Sequence, residues 1–163
     1  MGKATILLVE DDHSLRELML NLLQGHGYTV LASANVSDAV NLAQDAKSEV
    51  DLLLSDVVLP DLSGDELSAL LRNLRPNLRV LLTSEYAGDL ITRYQSIDPT
   101  MTLIAKPFTR RGLLSTIDRV LRADNQYGAR LFDRKRCGLV EAIRYSLIEL
   151  QRRWFGGAGG RRN

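Results

Sequence analysis

The sequence predicts an α/β domain, a five-stranded parallel sheet with helices on both faces, followed by a helical tail. Three observations carry this. Short apolar runs alternate with segments whose leucines recur at helical spacing. Glycine, proline, asparagine or aspartate separates one kind of segment from the next. Two apolar runs, Ala4–Val9 and Asp51–Ser55, end in acids (Glu10-Asp11-Asp12 and Asp56), while a third, Thr102–Ala105, ends in Lys106-Pro107.

Ala4–Val9 is continuously apolar, as expected of a strand covered on both faces. His13–Gln24 places Leu15, Leu18, Met19, Leu22 and Leu23 at helical spacing, and Gly25 and Gly27 end that helix. Asp11 or Asp12 can serve as its N-cap, Asp12 the favoured one, and His13 reads as a solvent-facing residue of the first turn. Tyr28–Ala32 is the second strand, and Val36–Ala46 the second helix, capped by Asn35 or Ser37. Asp51–Ser55 is the third strand. Pro60 and Gly64 break the chain before a third helix, Asp65–Leu74. Arg79–Leu82 is the fourth strand, Tyr86–Ile97 a weaker fourth helix stopped by Pro99, Thr102–Ala105 the fifth strand and Thr109–Arg122 the fifth helix. Strands alternating with helices in this way build a parallel sheet sandwiched between helices.

The chain has 163 residues, 45% hydrophobic and 25% charged, enough for one full core and a short appendage. No apolar stretch approaches the ~20 residues of a bilayer span, so no membrane partner is expected. Met1-Gly2-Lys3 leads directly into a strand, which does not read as a signal peptide, and a single cysteine, Cys137, allows no internal disulfide. Both features point to a cytoplasmic protein.

The net charge of +1 hides an asymmetry: residues 1–123 carry 12 Lys/Arg against 16 Asp/Glu, and residues 124–163 carry nine against four. We divide the chain into the α/β domain 1–123, a linker 124–138, an amphipathic helix 139–155 and a disordered tail 156–163. In the helix, Val140, Ile143, Leu147, Leu150 and Trp154 form a heptad seam, and Glu149 precedes Arg153 by a stabilising four residues. The seam has three readings: a homodimer contact, docking onto the domain or another partner, or a helix too short to form alone.

Strand ends of an open parallel sheet lie side by side, and the ligand crevice forms there. Folding therefore gathers Glu10, Asp11, Asp56 and Lys106 at one edge. Carboxylates suit a hard divalent cation such as Mg²⁺, with Mn²⁺ as an alternative, and the main-chain carbonyl near Val58 adds a donor. Bare carboxylates in one pocket repel, and a cation offsets that repulsion. Lys106 can hold a phosphoryl oxygen as a mobile point charge, and the Thr83 hydroxyl can donate to another. Phosphoryl transfer needs mainly positioning and charge neutralisation, with Asp56 the central candidate nucleophile.

In their order and near their spacing, four motifs resemble the receiver domain of bacterial two-component response regulators, most of all receivers attached to hybrid histidine kinases. They are Leu8-Val9-Glu10-Asp11-Asp12, Asp56-Val57-Val58-Leu59-Pro60-Asp61-Leu62-Ser63-Gly64, Leu82-Thr83-Ser84 and Lys106-Pro107-Phe108. The resemblance covers roughly residues 4–122. It implies a flavodoxin-like strand order 2-1-3-4-5, Asp56 as phosphoacceptor, and Glu10 and Asp11 as the metal-binding pair, Asp11 being the stronger candidate for direct ligation. It further implies Thr83 as the switch hydroxyl, Lys106 as its ion-pair partner and a cis Lys106-Pro107 peptide.

Two departures from the family pattern matter. Leu103 stands where the family usually has an aromatic switch residue, so a rotamer flip that buries or exposes a phenol is not available. Val58 and Glu85 stand two residues beyond the aspartate and the threonine, positions that influence how fast water removes the phosphoryl group. Apolar Val58 cannot orient that water, which predicts a long-lived phosphoprotein.

The resemblance thus implies a phospho-switch rather than an enzyme with a separate substrate. A sensor histidine kinase or histidine phosphotransfer protein would supply the phosphoryl group. The surface of helix four, strand five and helix five would answer to a downstream effector protein, as in a stand-alone receiver. The alternative is a nucleic-acid-binding regulator acting through the basic tail, although one helix offers no helix-turn-helix pair and specific DNA binding is not expected. A dehalogenase-like phosphatase needs a second acid where Val58 stands, and no Gly-x-Gly-x-x-Gly follows the first strand for a dinucleotide.

Overall fold

A computed structural model of the chain describes residues 3–45, 49–85, 98 and 100–123. In order these form β1 (Thr5–Val9), α1 (His13–Gly25), β2 (Thr29–Ser33), α2 (Val36–Gln44), β3 (Leu52–Asp56), α3 (Gly64–Leu74), β4 (Arg79–Ser84), β5 (Met101–Ala105) and α4 (Arg110–Arg122). Four helices rather than five are thus seen among the described residues. The expected helix Tyr86–Ile97, the linker and the seam Val140, Ile143, Leu147, Leu150 and Trp154 lie outside them.

The strands pair in parallel in the order β2-β1-β3-β4-β5. Successive strand residues point to opposite faces, and both faces are covered, which is why residues 6–9, 52–54 and 80–82 of the central strands are apolar without a break. Leu7 and Val9 pack with Ala39, Leu67 and Leu71 of α2 and α3. Ile6 and Leu8 pack with Met19 and Leu23 of α1 and with Leu113 and Ile117 of α4. The chain leaves β1 for β2 on one side and returns to β3 on the other. Loops at the C-terminal ends of β1 and β3 therefore diverge and open a crevice.

Local chemistry sets the helix ends. Asp12 caps α1, its Oδ1 accepting from Leu15 N at 2.7 Å, and Asn35 caps α2, accepting from Asp38 N at 2.9 Å. The end of α1 is a Schellman turn: Gly27 N donates to Gln24 O at 2.9 Å and Tyr28 N to Leu23 O at 3.2 Å. Gly27 sits at φ 87°, a conformation costly for any residue with a Cβ. Tyr28 is consumed by that turn, so β2 begins one residue later than its apolar run. Its hydroxyl donates to Asp118 Oδ1 at 2.6 Å, and burial together with that bond pushes the phenol pKa up to about 12.

Strand ends differ from the apolar runs in an informative way. Asp56 is the last residue of β3, paired with Thr83, and β4 runs on to Ser84, paired with Ala105. The ladder is made by the main chain, so it continues past the last apolar side chain. Thr109 is the cap of α4, accepting from Gly112 N at 3.0 Å, rather than its first residue.

Candidate functional site

Four elements deliver the site to the crevice. Glu10 leaves β1 with its amide still bonded to Ser33 O at 3.2 Å, and its residue exposure is only 2%. Asp56 ends β3. Thr83 lies beside it on β4, buried, its Oγ1 3.5 Å from Ser55 O. Lys106 follows β5, its amide donating to Ser84 O at 2.8 Å, and the Lys106-Pro107 peptide is cis.

Lys106 Nζ bridges the two acids, 2.5 Å from part-buried Asp56 Oδ2 and 3.2 Å from buried Glu10 Oε2. The Asp56 side chain keeps 14% of its surface exposed, so the carboxylate is accessible from outside. Its other oxygen, Oδ1, accepts from Val58 N at 3.1 Å. Burial raises the Glu10 pKa above the ordinary carboxylate value, against the opposing charge of Lys106. Burial alone would lower the Lys106 pKa. The hydrogen bond and charge of Asp56, and then those of Glu10, outweigh it and hold the ammonium above the usual lysine value.

Of the residues singled out in the sequence, Glu10, Asp56, Thr83 and Lys106 meet in this crevice. Asp11 follows Glu10 with its side chain exposed, and Asp12 turns away to cap α1. Val58 is 68% exposed, next to the Asp56 carboxylate, and Glu85 is exposed after β4. Leu103 pairs with Leu82 and packs half-buried against the core on the α2–α3 side.

No three His, Cys, Asp or Glu side chains among the described residues converge as they stand into a closed metal cage. Lys106 acts as the counter-ion between Glu10 and Asp56. The available donors are nonetheless all oxygen: the Glu10 and Asp56 carboxylates in the crevice, the exposed Asp11 next in the chain, and the Val58 main chain adjacent. That set fits a hard cation that retains several waters, and does not fit a thiolate- or imidazole-bound metal.

Two supporting residues escaped the sequence reading. Arg16 Nη1 donates to Glu10 O at 2.7 Å and to Asp11 O at 3.2 Å, clamping the loop that presents both acids. Its targets are carbonyls, which carry no residue-type signature; the faint signal is an arginine one helical turn after the cap. Gly64 read only as a helix breaker. Its amide donates to Val57 O at 2.8 Å, and the chain there lies against the main chain of Asp56.

A family model, the response regulator receiver domain, matches residues 6–118. The sensor kinase CckA of Brucella abortus is 35% identical over 120 residues, 74% of this chain and 13% of that protein. The response regulator receiver protein CpdR of the same organism is 29% identical over 116 residues, 71% of this chain and 95% of that protein. The DNA-binding transcriptional regulator NtrC of Azospirillum brasilense is 30% identical over 125 residues, and this chain spans 25% of it. The chain thus spans a quarter or less of CckA and NtrC. Among solved structures, the receiver domain of the hybrid histidine kinase CckA superposes with a TM-score of 0.63 at 28% identity, over 73% of this chain and 100% of that one. CheY4 of Vibrio cholerae superposes with a TM-score of 0.65 at 28% identity, over 72% of this chain and 98% of that one. No helix among the described residues is long and apolar enough to cross a membrane.

Proposed function

The chain belongs to the response regulator receiver family, and from that premise we propose that it is a phospho-switch whose acceptor is Asp56. The donor is a phosphohistidine on a sensor histidine kinase or a histidine phosphotransfer protein. A carboxylate oxygen of Asp56 attacks phosphorus, an acyl P–O bond forms, and the P–N bond breaks. The imidazole leaves with the electron pair and takes up a proton.

Glu10, Asp11, Asp56 and the Val58 carbonyl are the residues that would hold Mg²⁺, or Mn²⁺, whose bound charge neutralises that of the phosphoryl group. Lys106, 2.5 Å from Asp56 Oδ2 beforehand, stays beside the new phosphoryl oxygens as a point charge. The Thr83 hydroxyl exchanges its weak contact with Ser55 O for a phosphoryl oxygen. Leu103 has no hydroxyl to bury, so the change passes through packing alone. The responding surface includes β5 and α4, the expected fourth helix lying outside the described residues, and its output is altered affinity for a downstream effector protein. The reaction modifies the chain itself, with no separate substrate turned over.

The observation that carries this reading is the accessible Asp56 carboxylate, paired with Lys106 beside buried Glu10 at the C-terminal edge of the sheet. The test is incubation with acetyl phosphate and Mg²⁺, followed by intact-mass measurement. Wild type should gain one phosphoryl group and Asp56→Asn none. Equal gain by both proteins, or none by wild type, would refute the reading.

A further inference from the structure

Away from the phosphoacceptor, a cleft of about 830 Å³ runs between the C-terminal end of α1 and the length of α4. Its lining includes Arg110, Arg111, Arg119, Arg122 and His26, with Asp118 as the single acid. Asp118 already accepts the Tyr28 hydroxyl at 2.6 Å, so its charge is partly engaged. Lys3 adds a further cation nearby, its Nζ 5.0 Å from the centre of the Tyr28 ring. The four lining arginines bring a third of the twelve Lys/Arg of residues 1–123 into one cleft, on a domain whose sixteen acids otherwise outnumber its bases.

From this we propose that the α1–α4 cleft binds a ligand bearing clustered phosphate groups. The lining cations of the cleft wall are arginines, whose planar forks bond phosphate oxygens in pairs. Eleven helical steps separate Arg111 from Arg122, about 16 Å at the helical rise, a span that reaches several phosphates. His26 Nδ1 lies 2.8 Å from Leu22 O. A carbonyl only accepts, so Nδ1 carries a proton and Nε2 remains for a further partner. The phosphates can come from a free oligophosphate or nucleotide, or from a nucleic-acid backbone, and the experiment separates the two.

The full chain, without Mg²⁺, is titrated with inorganic tripolyphosphate by calorimetry and with a fluorescent octathymidylate by anisotropy, polyglutamate serving as the carboxylate control. Saturable binding of tripolyphosphate that falls about tenfold or more in Arg111→Gln/Arg122→Gln supports the proposal with a free ligand as the source. Binding confined to octathymidylate with the same loss supports it with nucleic acid as the source. The second pair, Arg110→Gln/Arg119→Gln, must weaken the same probe. Acetyl phosphate must still label Asp56 in both variants, which keeps loss of the cleft distinct from loss of the receiver fold. Absence of saturable binding to either probe overturns the proposal. So does equal affinity for polyglutamate, or wild-type affinity in both variants.

Discussion

Gly64 lies so close to the main chain of Asp56 that a Cβ on it would stand 2.3 Å from the Asp56 carbonyl oxygen. The start of α3 therefore packs directly on the residue assigned as phosphoacceptor, and only glycine allows that approach. Gly64→Ala must push the two segments apart. We expect a loss of about 1–3 kcal/mol in urea unfolding and slower labelling of Asp56 by acetyl phosphate. Wild-type values for both would show that the contact does not position Asp56.

Glu10 makes a prediction about pH. Burial raises its pKa in the folded state, so the fold favours its protonated form. The stability this contributes is complete below the unfolded carboxylate pKa and is lost as pH rises through the raised folded value. Above that raised value the ionised Glu10 is thus a burden on the metal-free protein. Glu10→Gln should unfold at higher urea than wild type at pH 7, and the gap should close as pH falls below 4. A less stable Gln variant at neutral pH would contradict the assignment. Lys106 has the same sign in a different window, because its raised pKa keeps its stabilising charge until pH climbs past the ordinary lysine value.

Arg16 clamps the carbonyls of Glu10 and Asp11 without touching either carboxylate. Arg16→Met should weaken Mg²⁺ binding in calorimetric titration and lower stability by about 1–2 kcal/mol, a discounted value for partly exposed charge-assisted bonds. Arg16→Lys should recover part of the Mg²⁺ affinity, since an ammonium can reach one carbonyl. Unchanged Mg²⁺ affinity in the methionine variant would make Arg16 a structural residue only.

Val58 projects into solvent beside the Asp56 carboxylate, 68% exposed and without a polar group to orient water. Purified phosphoprotein should therefore keep its label long after acetyl phosphate is removed, and Val58→Asn should shorten that lifetime. Decay within seconds for wild type, or no change in the variant, would remove Val58 from the control of hydrolysis.

Much of this was legible in the residues themselves. Strands covered on both faces need continuous apolar runs, so Ala4–Val9 and Asp51–Ser55 announced β1 and β3. The acids and lysine that close such runs had nowhere to go except the C-terminal edge of the sheet. Caps were legible too, because Asp12 and Asn35 act through their own side chains. What stayed hidden depends on main-chain partners brought by the fold. Asp56 belongs to β3 because Thr83 pairs with it, Arg16 matters because two carbonyls turn toward it, and Gly64 matters because the Asp56 carbonyl passes within van der Waals distance of it. None of these has a spacing rule.

The most direct measurement is localisation of the acyl phosphate. Borohydride converts an aspartyl phosphate to homoserine, and peptide mapping of protein treated with acetyl phosphate and Mg²⁺ reads the position. The account predicts homoserine at residue 56 and at no other aspartate. Conversion at Asp11 or Asp61 with Asp56 intact would contradict it.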